Sequence, residues 1–292
     1  MLKKAIFIIF IILFAFGGIF FYESAKFNDG KLHLVFCDVG QGDAIFIRTS
    51  TGSNILIDGG PDDSVLNCLS KHMPFWDKTI QLVILTHPHA DHFTGLISVI
   101  KRYNVISYDT EKIENPGFGT KILQDNLALK NLSATYLYKG DIFANKASFS
   151  LLTLWPSADF VRNSLSNLPS EAKNLDLNGF SVIEVLSYGS FKALLTGDAG
   201  SVIGDKIAKE TGKIDVLKVP HHGSKTGLSS LFLGITKPDL AVISVGAKNR
   251  YGHPSREILT LLRNNNIKVL RTDRDGEVEI VSDGKTFSVS NN

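Results

Sequence analysis

The stretch LTHPHADHFTGL, Leu85 to Leu96, sets three histidines and an aspartate within the six positions His87 to His92 of a chain that holds eight histidines. Imidazoles and carboxylates without thiolates suit Zn²⁺, with Mn²⁺ as the alternative. The run IQLVILT before the cluster reads as a strand buried on both faces. Side chains leaving such a strand end project into the crevice where layered α/β folds place their ligands. Pro88 keeps the exit extended, so His87 and His89 can point the same way and share one ion. Asp91 and His92, after the chain turns, can face a second ion. The alternative for the cluster is a solvated polar loop.

Four ligands do not complete two sites, and other strand ends supply more. LLTGDAG holds Asp198 between glycines just after an apolar run, where its two oxygens can bridge two cations. Its ordinary structural role would be helix N-cap. LKVPHHGS delivers His221 and His222 at another strand end. Adjacent histidines point in different directions, so one binds metal and the other faces substrate. We assign His221 to the metal and His222, with His253 of RYGHPS, to the substrate, alongside Asp91 as the group that orients the attacking water. Ser224 and Lys225 are candidate substrate contacts. His33 and His72 fall in an expected strand and helix and read as non-functional.

The elements that must position these residues are legible from periodicity. KLHLVFCDV, DAIFIRTS and SNILIDGG read as a three-stranded meander. Val65, Leu66, Leu69 and Met73 have helical spacing, as does TGLISVIKRY after the cluster. The second half repeats the pattern with a hairpin, FSVIEVLSYGSFKALLTGD, then alternating helices and strands to the C-terminus. Two sheet-rich halves with helices predict two packed sheets with helices on the outer faces. The apolar fraction of 43% and charged fraction of 21% are ordinary for a globular protein. A formal charge of +2 gives no argument for nucleic acid. Cys37 and Cys68 read as two small buried hydrophobes rather than a bridge.

Lys3 and Lys4 precede an apolar run from Ala5 to Tyr22, broken by Gly17 and Gly18, which is an export signature. Its length lies at the border between a signal core and a spanning helix, which needs about 18 apolar residues. We expect residues 1–22 to be a membrane anchor, with a cleaved signal as the alternative. Residues 23–30 then form a tether and 31–292 a domain outside the cytoplasm, the lysines staying inside.

DVGQGDA (Asp38–Ala44), ILIDGG (Ile55–Gly60), THPHADH (Thr86–His92), LLTGDAG (Leu194–Gly200), VPHHGS (Val219–Ser224) and YGHPS (Tyr251–Ser255) follow one another in this order. The series resembles the metallo-β-lactamase superfamily, most closely the extracytoplasmic hydrolase domain of the ComEC competence proteins. The resemblance implies a four-layer αββα sandwich and a hydrolase with two divalent ions. It also implies that Asp198 bridges the ions, that a histidine of the His221–His222 pair completes the second site, and that Asp58 and Asp43 support the metal loop from behind. Two departures matter. ComEC proteins also carry a multi-helix channel, whereas one apolar segment is found here, so DNA transport is not implied. Many superfamily members supply a further histidine between the cluster and the bridging aspartate. No histidine lies between Phe93 and Pro220, and Trp155 of LLTLWPS stands in the expected place. The His87–His89 ion is therefore the less secured. The expected reaction is phosphodiester hydrolysis by a metal-activated water, with extracellular DNA as one candidate substrate and single-stranded DNA as a candidate partner. The alternatives are another ester or amide (wall phosphorylcholine, a lactone, a β-lactam) or a non-catalytic binding domain.

Overall fold

Alternation in the first strand sets the layering of the whole molecule. In β1 (Leu32–Phe36), Leu32, Leu34 and Phe36 face one apolar cluster while Val35 and the following Cys37 face another. The first cluster lies between two sheets and the second lies under helices, so this strand is covered on both sides. The structure, a computed structural model, describes residues 2–113, 115–145, 148–166 and 176–290.

Helix α1 (Leu2–Phe27) comes first, followed by β1 and the antiparallel meander of β2 (Ile45–Arg48) and β3 (Asn54–Ile57). Helix α2 (Ser64–His72), β4 (Thr79–Leu85), α3 (Ala90–Arg102), β5 (Asn104–Thr110), α4 (Phe118–Leu129) and β6 (Ala134–Tyr136) extend that sheet with parallel pairings. The second sheet begins with β7 (Ile142–Ala144) and β8 (Phe149–Trp155), then, after α5 (Ala158–Ser166), the hairpin β9 (Ile183–Tyr188) and β10 (Phe191–Leu195). It continues through α6 (Ser201–Thr211), β11 (Val216–Lys218), α7 (Ser230–Thr236), β12 (Leu240–Ile243), α8 (Arg256–Asn264) and β13 (Lys268–Arg271). After a helical turn, α9 (Thr272–Asp275), the hairpin β14 (Val278–Ser282) and β15 (Phe287–Ser290) returns to the first sheet, with Leu34 opposite Ile280.

Described strands thus form an eight-stranded sheet, β15-β14-β1-β2-β3-β4-β5-β6, and a seven-stranded sheet, β13-β12-β11-β10-β9-β8-β7. Leu34, Ile47, Phe149 and Phe191 meet between the sheets. Val65, Leu69, Leu96 and Ile100 of α2 and α3 cover the first sheet, and Ile207, Phe232 and Ile258 cover the second. This is the expected four-layer αββα sandwich. Each buried Leu, Ile or Phe contributes roughly 1.5–3 kcal/mol of transfer free energy. The return of β14 and β15 departs from the picture of two sequential halves. Their apolar residues Val278 and Ile280 complete the intersheet core beside β1, a pairing no local signal announces.

Two further findings differ from expectation. Cys37 and Cys68 form a disulfide with a Cα–Cα separation of 5.8 Å. Alternation after β1 aims Cys37 at the helix layer, and helical spacing puts Cys68 on the inner face of α2 beside Leu69, so two small buried residues meet at bonding range. Helix α1 also runs five residues past Tyr22, so Glu23–Phe27 of the expected tether is helix. Its segment Lys3–Phe27 is long and apolar enough to cross a membrane, and none of its most apolar window is buried.

His33 and His72 take part in a chain of ion pairs. Asp29 pairs with His33 at 3.1 Å, His33 with Glu279 at 2.8 Å, His72 with Glu279 at 3.6 Å and with Glu277 at 2.7 Å. Burial opposes the charge on His72, but Glu277 and Glu279 outweigh it and raise its pKa to about 9 from 6.5. A raised pKa contributes stability that is fully present below 6.5 and is lost as pH rises through 9. His72→Gln is therefore expected to destabilise the domain below pH 6.5, by roughly 3 kcal/mol at most, and to flatten the pH dependence of denaturation above it. Equal denaturation midpoints for parent and variant at pH 6 would overturn this.

Candidate metal centre

Three loops and one helix start converge at one end of the sandwich. Strand β4 ends at Leu85, and His87 and His89 follow before α3 opens at Ala90, which puts Asp91 and His92 in its first turn. Asp198 follows β10 in a turn that ends at the N-cap Gly200, so Asp198 itself is not the cap. The loop Asp38–Ala44 is pressed against this helix start. Asp43 N–H donates to Asp91 O at 3.2 Å, and a Cβ on Gly42 (φ 151°) would lie 2.2 Å from that oxygen. Only glycine fits this approach.

Hydrogen bonds set three histidines in one tautomer. His92 Nδ1 lies 2.7 Å from Asp58 Oδ2, and His222 Nδ1 lies 2.9 Å from the Ser244 carbonyl. Both acceptors lack protons, so both Nδ1 atoms donate. Thr86 Oγ1 donates to Asp58 Oδ2 at 2.7 Å, which leaves it to accept from His87 Nδ1 at 3.1 Å. Each Nε2 lone pair is thereby aimed inward. Asp58 also accepts from Thr86 N–H at 2.8 Å and so joins the metal loop to its own strand end.

The inward atoms meet at Asp198 Oδ2. It lies 3.4 Å from His92 Nε2, 3.6 Å from His222 Nε2, and 3.9 Å from both His87 Nε2 and His221 Nε2. Asp91 Oδ2 is 3.4 Å from His222 Nε2. Ligands at about 2.1 Å from one ion in tetrahedral array lie about 3.4 Å apart, so Asp91, His92 and His222 group around a place for one divalent ion, with Asp198 Oδ2 at 3.4 and 3.6 Å from the two histidines. His92 Nε2, His222 Nε2 and Asp198 Oδ1 are buried without a hydrogen-bond partner among the described residues. Such groups are costly unless a ligand satisfies them. His87, His92 and Asp198 form a second convergent group. His89 Nδ1, however, stands 3.0 Å from His87 Nε2, at hydrogen-bonding range rather than the separation a shared ion sets.

Of the adjacent pair, His222 and not His221 enters the ligand group, the reverse of the assignment made from sequence. Both residues have left-handed backbone, φ 50° and 53°, which turns His222 inward to 1% exposure and leaves the His221 side chain 32% exposed. Two successive non-glycine residues there hold strain of the kind found at functional sites. His221 instead stands with its ring 5.7 Å from that of His253, which stacks in turn on Tyr251 at 5.7 Å. Burial holds both His221 and His253 below the usual imidazole pKa, so both are neutral at pH 7. Ser224 pairs with Thr226 Oγ1 at 3.3 Å and Lys225 is exposed. Neither has a hydrogen bond to a ligand residue among the described residues.

Two groups were not found from sequence. Lys218, at the end of β11, is 0% exposed, and its Nζ contacts Asp43, donates to Gly197 O at 2.7 Å and lies 3.7 Å from Asp198 Oδ1. Burial opposes its charge, but Asp43 and Asp198 outweigh that and raise its pKa. Asp43 also faces His222 Nδ1 at 3.5 Å and His92 Nδ1 at 3.8 Å. Asn178 Nδ2 approaches His221 Nδ1 at 3.5 Å from the short helix Leu177–Phe180. Trp155 supports that turn by donating to Gly179 O at 2.8 Å; its indole braces the site from behind and is no substitute ligand. Polar residues inside strand or loop text carry no mark of burial, so neither Lys218 nor Asn178 had a local signal.

A family model described as the metallo-beta-lactamase superfamily matches residues 37–149, the span that carries His87 to His92. Over that span the chain is similar to this superfamily. Among curated relatives, the chain is 28% identical to ComE operon protein 3 of Bacillus subtilis, over 90% of this chain and 34% of that protein. It is 26% identical to Competence protein ComA of Neisseria gonorrhoeae, again over 90% of this chain and 34% of that protein. The chain therefore spans about a third of the length of these relatives. Among solved structures, CmlA, a diiron β-hydroxylase from Streptomyces venezuelae, shares the fold. Its TM-score is 0.53 at 16% identity, covering 82% of this chain and 52% of that one.

Proposed function

We propose that this protein is an extracytoplasmic metal-dependent phosphodiesterase of the metallo-β-lactamase type that cleaves single-stranded DNA. The observation that carries the reading is the approach of four histidine Nε2 atoms to Asp198 Oδ2 and of the Asp91 carboxylate to His222 Nε2, with His92 and His222 left bare and inward. Asp91, His92 and His222, with Asp198, would hold one divalent ion; His87 and Asp198 would hold the other, which His89 joins only by giving up its hydrogen bond to His87. Nitrogen and carboxylate donors without thiolate favour Zn²⁺, and the oxygen share of the set also admits Mn²⁺. Bound ions supply Lewis acidity, activating water and offsetting phosphate charge.

The chain's own groups do the rest. Asp91, one-third exposed at the rim, orients the attacking water by accepting its proton. His221 and His253, neutral and side by side, are the groups we assign to donate a hydrogen bond to the leaving oxygen. The exposed Tyr251 ring beside them offers a stacking face for a base, and Arg250 next to it a charge for phosphate. The similarity to competence proteins supports a nucleic-acid substrate. Location outside the cytoplasm is supported by α1 and by the Cys37–Cys68 bridge, since disulfides persist in oxidising compartments.

The test is to incubate the full chain in detergent with single-stranded DNA, with duplex DNA, and with bis-p-nitrophenyl phosphate, each with Zn²⁺ or Mn²⁺. Cleavage of single-stranded DNA that stops on adding a chelator is the expected result. Hydrolysis of the small diester with no cleavage of DNA under either ion would sink the nuclease reading and leave a smaller phosphodiester as substrate.

A further inference from the structure

Large exposed apolar side chains are concentrated in α1, and two more stand beside it on the loop between α2 and β4. Phe75 is 52% exposed and Trp76 39%, their rings edge to face at 4.8 Å. Such exposure is unfavourable in water, and this loop is not one that merely flaps into it. Asp77 N–H closes a turn on Pro74 O at 2.9 Å, while the Asp77 carboxylate accepts from Asn54 at 2.8 Å and from Thr79 N–H at 3.1 Å. Arg48, which pairs with Asp77 at 3.5 Å, also donates to Phe27 O at the end of α1. The fold thus presents the two rings rigidly, on the side where α1 leaves the domain.

Their depth is set by one contact. The Trp76 ring lies 4.5 Å from that of Phe20. Phe20 precedes the first acidic residue of α1, Glu23, by three positions, about 4.5 Å along a helix axis. If α1 spans a bilayer, Phe20 lies just inside the hydrocarbon border, and a ring in contact with it lies in the interfacial belt that tryptophan favours. Lys26, Lys78 and Lys71 are exposed nearby and can meet anionic headgroups.

We propose that the Phe75–Trp76 loop is a second membrane contact, inserted at the headgroup boundary of the same bilayer that α1 crosses. The proposal rests on the reading of α1 as an anchor. It has a geometric consequence for the metal centre. The loop precedes β4, whose seven residues at about 3.3 Å each span about 23 Å, and His87 follows its far end. A domain held at both α1 and this loop stands upright, with its metal centre facing away from the membrane rather than free to tumble against it.

The chain contains two tryptophans, Trp76 and Trp155, the second 7% exposed and hydrogen-bonded inside the fold. The full chain would be reconstituted in phosphatidylcholine–phosphatidylglycerol vesicles containing lipids brominated near the headgroup or near the acyl end. Subtracting the emission of Trp76→Ser from that of the parent isolates Trp76 without altering Trp155. The expected result is a blue-shifted Trp76 emission, quenched more by the shallow bromines than by the deep ones. Water-like emission, unquenched at either depth, in a chain that resists alkaline carbonate extraction would overturn the docking loop while keeping the anchor. Release of the chain by carbonate would overturn the anchor itself, and the docking with it.

Discussion

Asp198→Asn is expected to lower metal-dependent turnover by about 10³-fold or more and to reduce bound metal at both sites. Asp198 Oδ2 is the atom nearest to which both ligand groups draw their histidines, so each ion loses a charged donor in one substitution. The amide keeps the shape but replaces one oxygen by a nitrogen that carries protons and cannot bind a cation. Burial opposes the Asp198 charge, yet His222 and His92 hold its pKa well below the carboxylate range, so the parent side chain is anionic at every working pH. Metal content by plasma mass spectrometry, set beside diester hydrolysis, checks the result. A variant that retains both ions and parent turnover would refute the assignment of Asp198 as the shared ligand.

The second large effect is expected at Lys218. Removing one partner of a buried pair leaves an uncompensated charge and costs about 3–5 kcal/mol. Lys218→Met strands the Asp43 carboxylate at 1% exposure, so denaturation should shift by that amount. The double variant Lys218→Met/Asp43→Asn removes both charges and should recover most of the loss. It should not recover metal affinity, because the ammonium also turns Asp198 Oδ1 away from the histidines, leaving Oδ2 to face them. Chemical denaturation and metal titration on the four members of the cycle separate these roles. A single variant within about 1 kcal/mol of the parent would show the ammonium to be dispensable.

The difference between what was readable and what was not is one of range. His87, His89, Asp91 and His92 announce themselves because strand exit, proline and helix start lie within one short segment. Alternation in KLHLVFC and FSVIEVL likewise fixes each strand's faces from near neighbours. Lys218 looks in the sequence like any polar residue closing a strand; its burial exists only because Asp43, distant in sequence, is brought to it. The choice between His221 and His222 depends on two positive φ angles that no side-chain type demands. Pairing of Cys37 with Cys68 required the phase of β1 and of α2 to be known together. The return of β14 to β1 required the whole topology.

The disulfide has a consequence for how the centre comes into being. Its two cysteines are 31 residues apart, and Asp43 and Asp58 both lie on the covalent ring they close. Closing a ring of that size removes roughly 3–4 kcal/mol of freedom from the unfolded chain. That freedom belongs to the very segment whose carboxylates orient His92 and neutralise Lys218. A chain still reduced would carry its histidines with their supports untethered. Oxidation of Cys37 and Cys68 therefore also limits the freedom of the loops that support the metal ligands.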